Sequence, residues 1–316
     1  MRIIILCVEW NVDIFMSDST SNKIAKKTTF QVDDTTFGPL MIENVDFKAG
    51  VIEDYLFKYL LREDNLQYIF MEKELTDDKL AQMLDCFIPY GRMESPTKEE
   101  IISWRSRHKS FYSFLAEGLL PLVYRDVKGW QLRHAVIDLC ATGVDQHNGV
   151  DACLYDCEKR LFVLGEAKFY ENFEKGVKEI INDFQNKSFL NKLDSFRVHA
   201  KNSCVAIRQH GSDYADVLSL DAFVRKGCHL AGFVLHELGE KKTENDYLDD
   251  QTYECFKCNK NAIVEKAKEN SQKDLPFELQ LKIESITIFN FFISSKNELI
   301  RKCIAEAIKK RNEIDV

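Results

Sequence analysis

The sequence predicts an α/β fold: a mixed sheet flanked by helices, with a small α/β region ahead of it. Three observations predict it. Between Ala135 and Tyr170 the chain is β-rich, and a helical spacing of apolar residues follows at once: Phe173, Val177, Ile180, Ile181 and Phe184. HLAGFVLH at His229–His236 and IESITIFNFFI at Ile283–Ile293 are apolar runs of strand length, the pattern of strands buried on both faces. Helical periods precede these runs, over residues 97–124, and follow them, over Asn297–Arg311.

Taken in order, residues 17–28 are polar and are expected to be flexible. Ahead of them, residues 1–15 are either an over-extended start before Met16 or a strand of their own. The apolar run Ile3 to Val8 is shorter than the ~7–15-residue core of a secretory signal, and no small-residue cleavage site follows it. Phe30 to Phe47 alternates loosely around Gly38-Pro39, which predicts short strands and turns. Val51 to Leu61 carries apolar residues at helical spacing, and Thr76 to Phe87 places Leu80, Met83, Leu84 and Phe87 on one side of a second helix. This α/β region ends near Pro89-Tyr90-Gly91. Thr97 and Glu100 form a capping box that opens a long helix, with a kink or break expected at Pro121 because proline removes the N–H that would bond the carbonyl of Glu117. Strands are expected at Ala135–Cys140, Val150–Tyr155 and Arg160–Tyr170, and a helix over Glu171–Asn186. Gly239 to Asp250 is polar and reads as a solvated loop. The expected division is residues 1–28, a flexible or over-extended N-terminus; 29–94, the small α/β region; and 95–316, the main domain.

Composition narrows the function. The chain has 316 residues, about two domains by length at roughly 150 residues each. With 45% hydrophobic residues it can bury a core, so wholesale disorder is excluded. No apolar run approaches the ~18 residues of a spanning helix, so no membrane partner is expected. The ten cysteines are scattered and read as reduced, buried small hydrophobes of a cytoplasmic protein. A net charge of −8 argues against tight autonomous binding of nucleic acid, though a local cleft can still be basic.

Chemistry concentrates in GVDACLYDCEKRLFVLGEAKFY, residues 149–170. It reads as a hairpin with its turn near Asp156 to Lys159. Alternation along the second strand puts Phe162, Leu164, Glu166 and Lys168 on one face. A carboxylate and an ammonium therefore stand side by side at the end of an apolar strand, and burying them is costly unless partners satisfy them. Asp151, fifteen residues before Glu166, is the second carboxylate, and a divalent ion is the natural complement. Asp151 and Glu166 are the candidate Mg²⁺ ligands, with Mn²⁺ as the substitute ion. Lys168 is the candidate for orienting a water and stabilising charge on a phosphorane-like transition state. Glu117, on the polar line Ser110, Ser113 and Glu117 of an otherwise apolar helix, is the candidate third acid.

Acid-bearing helix, strand with Asp, strand with E-x-K, helix is the core order of PD-(D/E)XK nucleases. The runs HKSFYSFLAEGLLPLVY, GVDACLYD and LFVLGEAKFYENFEKGVKEI resemble the nuclease subunit of the Hachiman anti-phage defence system over roughly residues 100–300. The resemblance implies a PD-(D/E)XK core, DNA as substrate, Mg²⁺ as cofactor and a superfamily 2 helicase as partner. It implies the active-site roles of Asp151, Glu166 and Lys168, with Glu117 matched less specifically. Cys153 and Cys157 are not associated with the family pattern.

Competing readings stay beside this one. Glu166 and Lys168 could form a strand-edge ion pair of ~0–1 kcal/mol, Asp151 a turn residue, and Glu117 a helix-surface acid. Asp138 and Asp145 are rival ligands. Cys255 and Cys258 form a single C-x-x-C without the second pair that zinc usually needs. HELGE at His236–Glu240 is not H-E-x-x-H, and no G-x-x-x-x-G-K-[ST] is present, so the chain is not its own ATPase motor. No small-molecule cofactor is implied. His147 reads as a turn residue. Lys175, Lys178, Lys187 and Lys192 either line a DNA path or form a solvated helix face. The alternative to a nuclease is a non-catalytic DNA- or protein-binding subunit on a degenerate nuclease fold.

Overall fold

The computed structural model describes residues 3–10, 25–34, 38–47, 53–89, 94–107, 109–133, 151–183, 227–237 and 283–314. Among these, eight strands form one mixed sheet: β1 (Ile3–Trp10), β2 (Ala25–Asp34), β3 (Gly38–Phe47), β4 (Gln131–Leu132), β5 (Ala152–Asp156), β6 (Leu161–Tyr170), β7 (Cys228–Glu237) and β8 (Ile283–Ile293). Their order is β1-β2-β3-β8-β7-β6-β5-β4. The middle strands β3, β8, β7 and β6 are parallel neighbours, and antiparallel pairs close both ends. The helices are α1 (Glu53–Leu60), α2 (Glu63–Ile69), α3 (Asp77–Asp85), α4 (Lys98–Arg107), α5 (Lys109–Lys128), α6 (Phe173–Asp183) and α7 (Lys296–Ile314). None of them is long and apolar enough to cross a membrane.

Parallel strands need cover on both faces, which is why β7 and β8 read as continuous apolar runs. Successive residues of each strand point to opposite faces. On one face Val163, Ala167, Phe169, Phe233, Leu235, Phe289 and Phe291 join one buried cluster with Leu56 and Leu60 of α1, Leu119 and Val123 of α5, and Ile300 and Ile304 of α7. On the other face α6 lies over β6 and β7 through its buried residues Phe173, Val177 and Ile180. Leu66, Ile69 and Leu84, from the 29–94 region, belong to the first cluster too.

Several local expectations appear as read. Thr97 and Glu100 close a reciprocal capping box, at 2.9 Å from the Thr97 N–H to the Glu100 carboxylate and 3.2 Å from the Glu100 N–H to the Thr97 hydroxyl. Thr76 caps α3. Others are corrected. Pro121 neither breaks nor ends α5, which runs unbroken to Lys128. Leu119, Leu120, Leu122, Val123 and Tyr124 around it are all fully buried, and that packing offsets the single lost hydrogen bond. The run expected over 97–124 is assigned as two helices, α4 and α5. Residues 25–28, expected to be flexible, begin β2, and residues 3–10 form β1 paired with it. α2 was not expected, because EDNLQYI is too short to show a helical period. The strand expected at Ala135–Cys140, the loop at Gly239–Asp250, Asp138, Asp145, His147, Lys187, Lys192, Cys255 and Cys258 lie outside the described residues.

Two histidines are buried in the sheet. His229 stacks on Trp130, with Nδ1 2.6 Å from the Ser285 hydroxyl and Nε2 3.5 Å from Asp156. His236 packs between Phe173 and Phe292. Burial pushes both down to about 4; Lys159 adds to the shift at His229, where Asp156 and Glu284 oppose it. The unfolded chain, with histidines near ~6.5, binds these two protons at a higher pH than the folded one. Their contribution is complete above pH ~6.5 and is lost as pH falls toward 4, at roughly 3 kcal/mol per histidine. The melting temperature should therefore fall steadily between pH 6.5 and 4. A melting temperature flat across that interval would show that the rings are not held neutral.

Candidate active site

The site is built on the β5–β6 hairpin. Its turn forms because the Asp156 carboxylate accepts the N–H groups of Glu158 and Lys159, at 2.9 and 3.0 Å, and Arg160 takes a left-handed φ of 57°. The register ends on the pair Ala152 and Gly165, and Asp151 lies immediately before it, outside the ladder. Asp151 is pinned there from both sides of Glu166. Its N–H donates to the Gly165 carbonyl at 2.9 Å, and its Oδ2 accepts the Ala167 N–H at 2.7 Å. Both carboxylates lie close enough to Lys168 to act on its charge, and like charges gathered at one place repel. Two carboxylates in this arrangement call for a cation.

Lys168 supplies one. Two residues beyond Glu166 on the same face, its Nζ lies 3.6 Å from Glu166 Oε2 and forms an ion pair with Asp183 at the end of α6. Glu166 is fully buried and Lys168 is half-buried. Burial works against the Lys168 charge, but Asp151, Glu166 and Asp183 outweigh it and hold the ammonium above the ordinary lysine range. Lys168 is therefore a cation beside these carboxylates. The end of its strand is also tied down: the Phe169 carbonyl accepts from the Lys296 ammonium, and the Lys296 backbone N–H donates to Glu237.

The structure thus brings Asp151, Glu166 and Lys168 together. Glu117 is half-buried on α5, one turn before Leu120, and α5 covers the sheet face opposite the one that carries Glu166 and Lys168. Gly165 allows that cover: a Cβ there would come within 2.9 Å of Leu120.

Sequence reasoning missed Asp183. Phe173, Gly176 and Ile180 mark the buried stripe of α6, and position 183 continues it at the i+3 spacing. A carboxylate at the end of an apolar stripe was the available signal. Gly176 sets how close the helix comes, because a Cβ there would lie 2.6 Å from Val234 Cγ1. In Gly176→Ala the overpacking costs roughly 1–3 kcal/mol and the gain in helix propensity returns at most ~1. A urea titration should show a lower midpoint; an unchanged or higher one would mean that Val234 yields freely.

The donor chemistry fits a hard divalent ion. Asp151 and Glu166 offer carboxylate oxygens at one point on the sheet, and Mg²⁺ is commonly held by one or two carboxylates with waters and substrate phosphate oxygens. Among the described residues no group of three or more His, Cys, Asp and Glu side chains is arranged to hold a metal. The fit is therefore to an ion that the phosphate itself helps to bind.

Comparison with known proteins places the chain in a family. No curated protein matches the chain. The family model HamA matches residues 142–307, more than half of the chain. That segment contains Asp151, Glu166, Lys168 and Asp183, whereas Glu117 precedes it. The chain belongs to the HamA family, components of the Hachiman anti-phage defence system.

Proposed function

We propose that the chain is a Mg²⁺-dependent DNA nuclease on a PD-(D/E)XK core, the effector of a two-component defence complex with a superfamily 2 helicase. The observation that carries this is the hold of Asp151 on the backbone either side of Glu166, at Gly165 and Ala167, with Lys168 3.6 Å from Glu166 on the same strand face. The order α5, Asp151 before β5, E-x-K on β6, then α6 supports it. Asp151 and Glu166 would hold the ion. Bound Mg²⁺ supplies polarisation of the scissile phosphate and a water of lowered pKa. Lys168, already charged, donates hydrogen bonds to the attacking water or to a non-bridging oxygen, where negative charge grows.

The helicase belongs to the proposal for a physical reason. A chain of net charge −8 gains little from phosphate contacts, and a basic partner that tracks along DNA supplies that attraction. Docking through the 29–94 region is part of the same reading. Deleting residues 17–90 would not test docking cleanly, since Leu56, Leu60 and Ile69 would leave the core with that segment. The test of the function is cleavage of circular and linear duplexes by the complex in Mg²⁺, with EDTA as control. Cleavage that survives EDTA would overturn metal-dependent hydrolysis.

One observation favours the non-catalytic reading: Lys168 is already compensated by the carboxylates around it. Calorimetry with Mn²⁺ separates the two. A scaffold leaves binding unchanged in Asp151→Ala; a nuclease loses it.

A further inference from the structure

We propose that Asp183 is a positioning residue that holds the Lys168 ammonium beside Glu166, so that α6 and not the strand alone sets where the lysine points. The proposal rests on the nuclease reading above. Nothing in the E-x-K spacing fixes a lysine side chain, because four rotatable bonds separate its Nζ from the strand. In the structure two acids bracket it: Glu166 Oε2 at 3.6 Å from the same strand, and the Asp183 carboxylate from α6.

The helix is placed to do this. Phe173, Val177 and Ile180 are buried, and the missing side chain of Gly176 lets α6 lie directly on Val234 of β7. β7 runs parallel to β6, with Val234 paired to Lys168 itself. The position of α6 over the sheet is therefore measured at the register of the lysine. The Asp183 side chain is in partial contact with solvent, 26% exposed. It can release or retain Lys168 at lower desolvation cost than the fully buried Glu166. The arrangement resembles the general rule that partners behind an active group orient it, and losing such a partner costs about 10–100-fold in activity.

The test uses the full chain, alone and in its helicase complex, as wild type, Asp183→Asn, Asp183→Glu and Lys168→Arg. The first readout needs no activity. A lysine ammonium held in an ion pair exchanges its protons slowly enough to give a ¹⁵Nζ–H signal, and the signal absent from Lys168→Arg identifies it. That signal should vanish in Asp183→Asn and return at least in part in Asp183→Glu. The second readout is kinetic: kcat should fall about 10–100-fold in Asp183→Asn with KM within about twofold, and Mn²⁺ affinity should stay within about threefold of wild type. A Lys168 signal that persists in Asp183→Asn would overturn the proposal. So would an unchanged kcat, or a loss of Mn²⁺ affinity as large as that of Asp151→Ala, which would make Asp183 a ligand. Failure of the parent reading looks different: wild type and Lys168→Arg would then be equal in cleavage while the ion-pair signal still responded to Asp183.

Discussion

Lys168→Ala should abolish DNA cleavage by the helicase complex while leaving the complex assembled. Lys168 carries its proton at neutral pH, since burial is outweighed by the surrounding carboxylates. It is the cation on the proposed site that the chain itself supplies to the transferring phosphate. Removing one preorganised donor of this kind typically costs about 10²–10³ in kcat, or about 3–4 kcal/mol of barrier. The substitution also removes the counter-charge between Asp151, Glu166 and Asp183. Destabilisation has to be separated from lost chemistry, so Lys168→Arg is the companion: it keeps the charge and changes the donor geometry. Expected are no cleavage with Ala, strongly reduced cleavage with Arg, and a melting temperature for Arg near that of wild type. Equal cleavage by wild type and Lys168→Ala would end the assignment of Lys168.

The second large effect is expected at Asp151, where fold and metal roles can be split. Its carboxylate accepts the Ala167 N–H at 2.7 Å, a hydrogen bond to a charged group worth about 1.5–3 kcal/mol. With Glu166 it is also one of the two proposed ligands. Asp151→Ala loses both roles: Mn²⁺ binding by calorimetry should disappear and the melting temperature should drop. Asp151→Asn keeps an acceptor for Ala167 and relieves the repulsion with Glu166, so its melting temperature should match or exceed that of wild type. Its Mn²⁺ binding should still be lost. If Asp151→Asn binds Mn²⁺ as wild type does, Asp151 is a structural cap of the hairpin, and the ion, if any, lies elsewhere.

The legible part of the site was the part that depends on near neighbours in sequence. Two-residue alternation put Glu166 and Lys168 on one face of β6, and the fold keeps them there. The turn at Asp156 to Arg160 was likewise local chemistry, and once the turn is set the register runs on to Ala152 and Gly165, the neighbours of Asp151 and Glu166. The capping box at Thr97 formed as spelled, within one turn of backbone. Each of these follows from steric periodicity or a short-range hydrogen bond, so amino-acid order alone determines it.

What tertiary structure decided were the matters settled by burial and distant pairing. Pro121 is a helix breaker in isolation, yet α5 passes through it because the residues around it are buried against the sheet and the helices. Parallel pairing of β3 with β8 joins residues more than two hundred positions apart, and no local signal encodes it. Asp183 meets Lys168 only because α6 packs flush on Val234 through Gly176. The acid looked like any helical acid until packing turned it inward. Sequence periodicity determined which residues share a face of an element. Only the close packing of elements against one another decided which faces meet, because that choice rests on buried area and shape summed over the whole core.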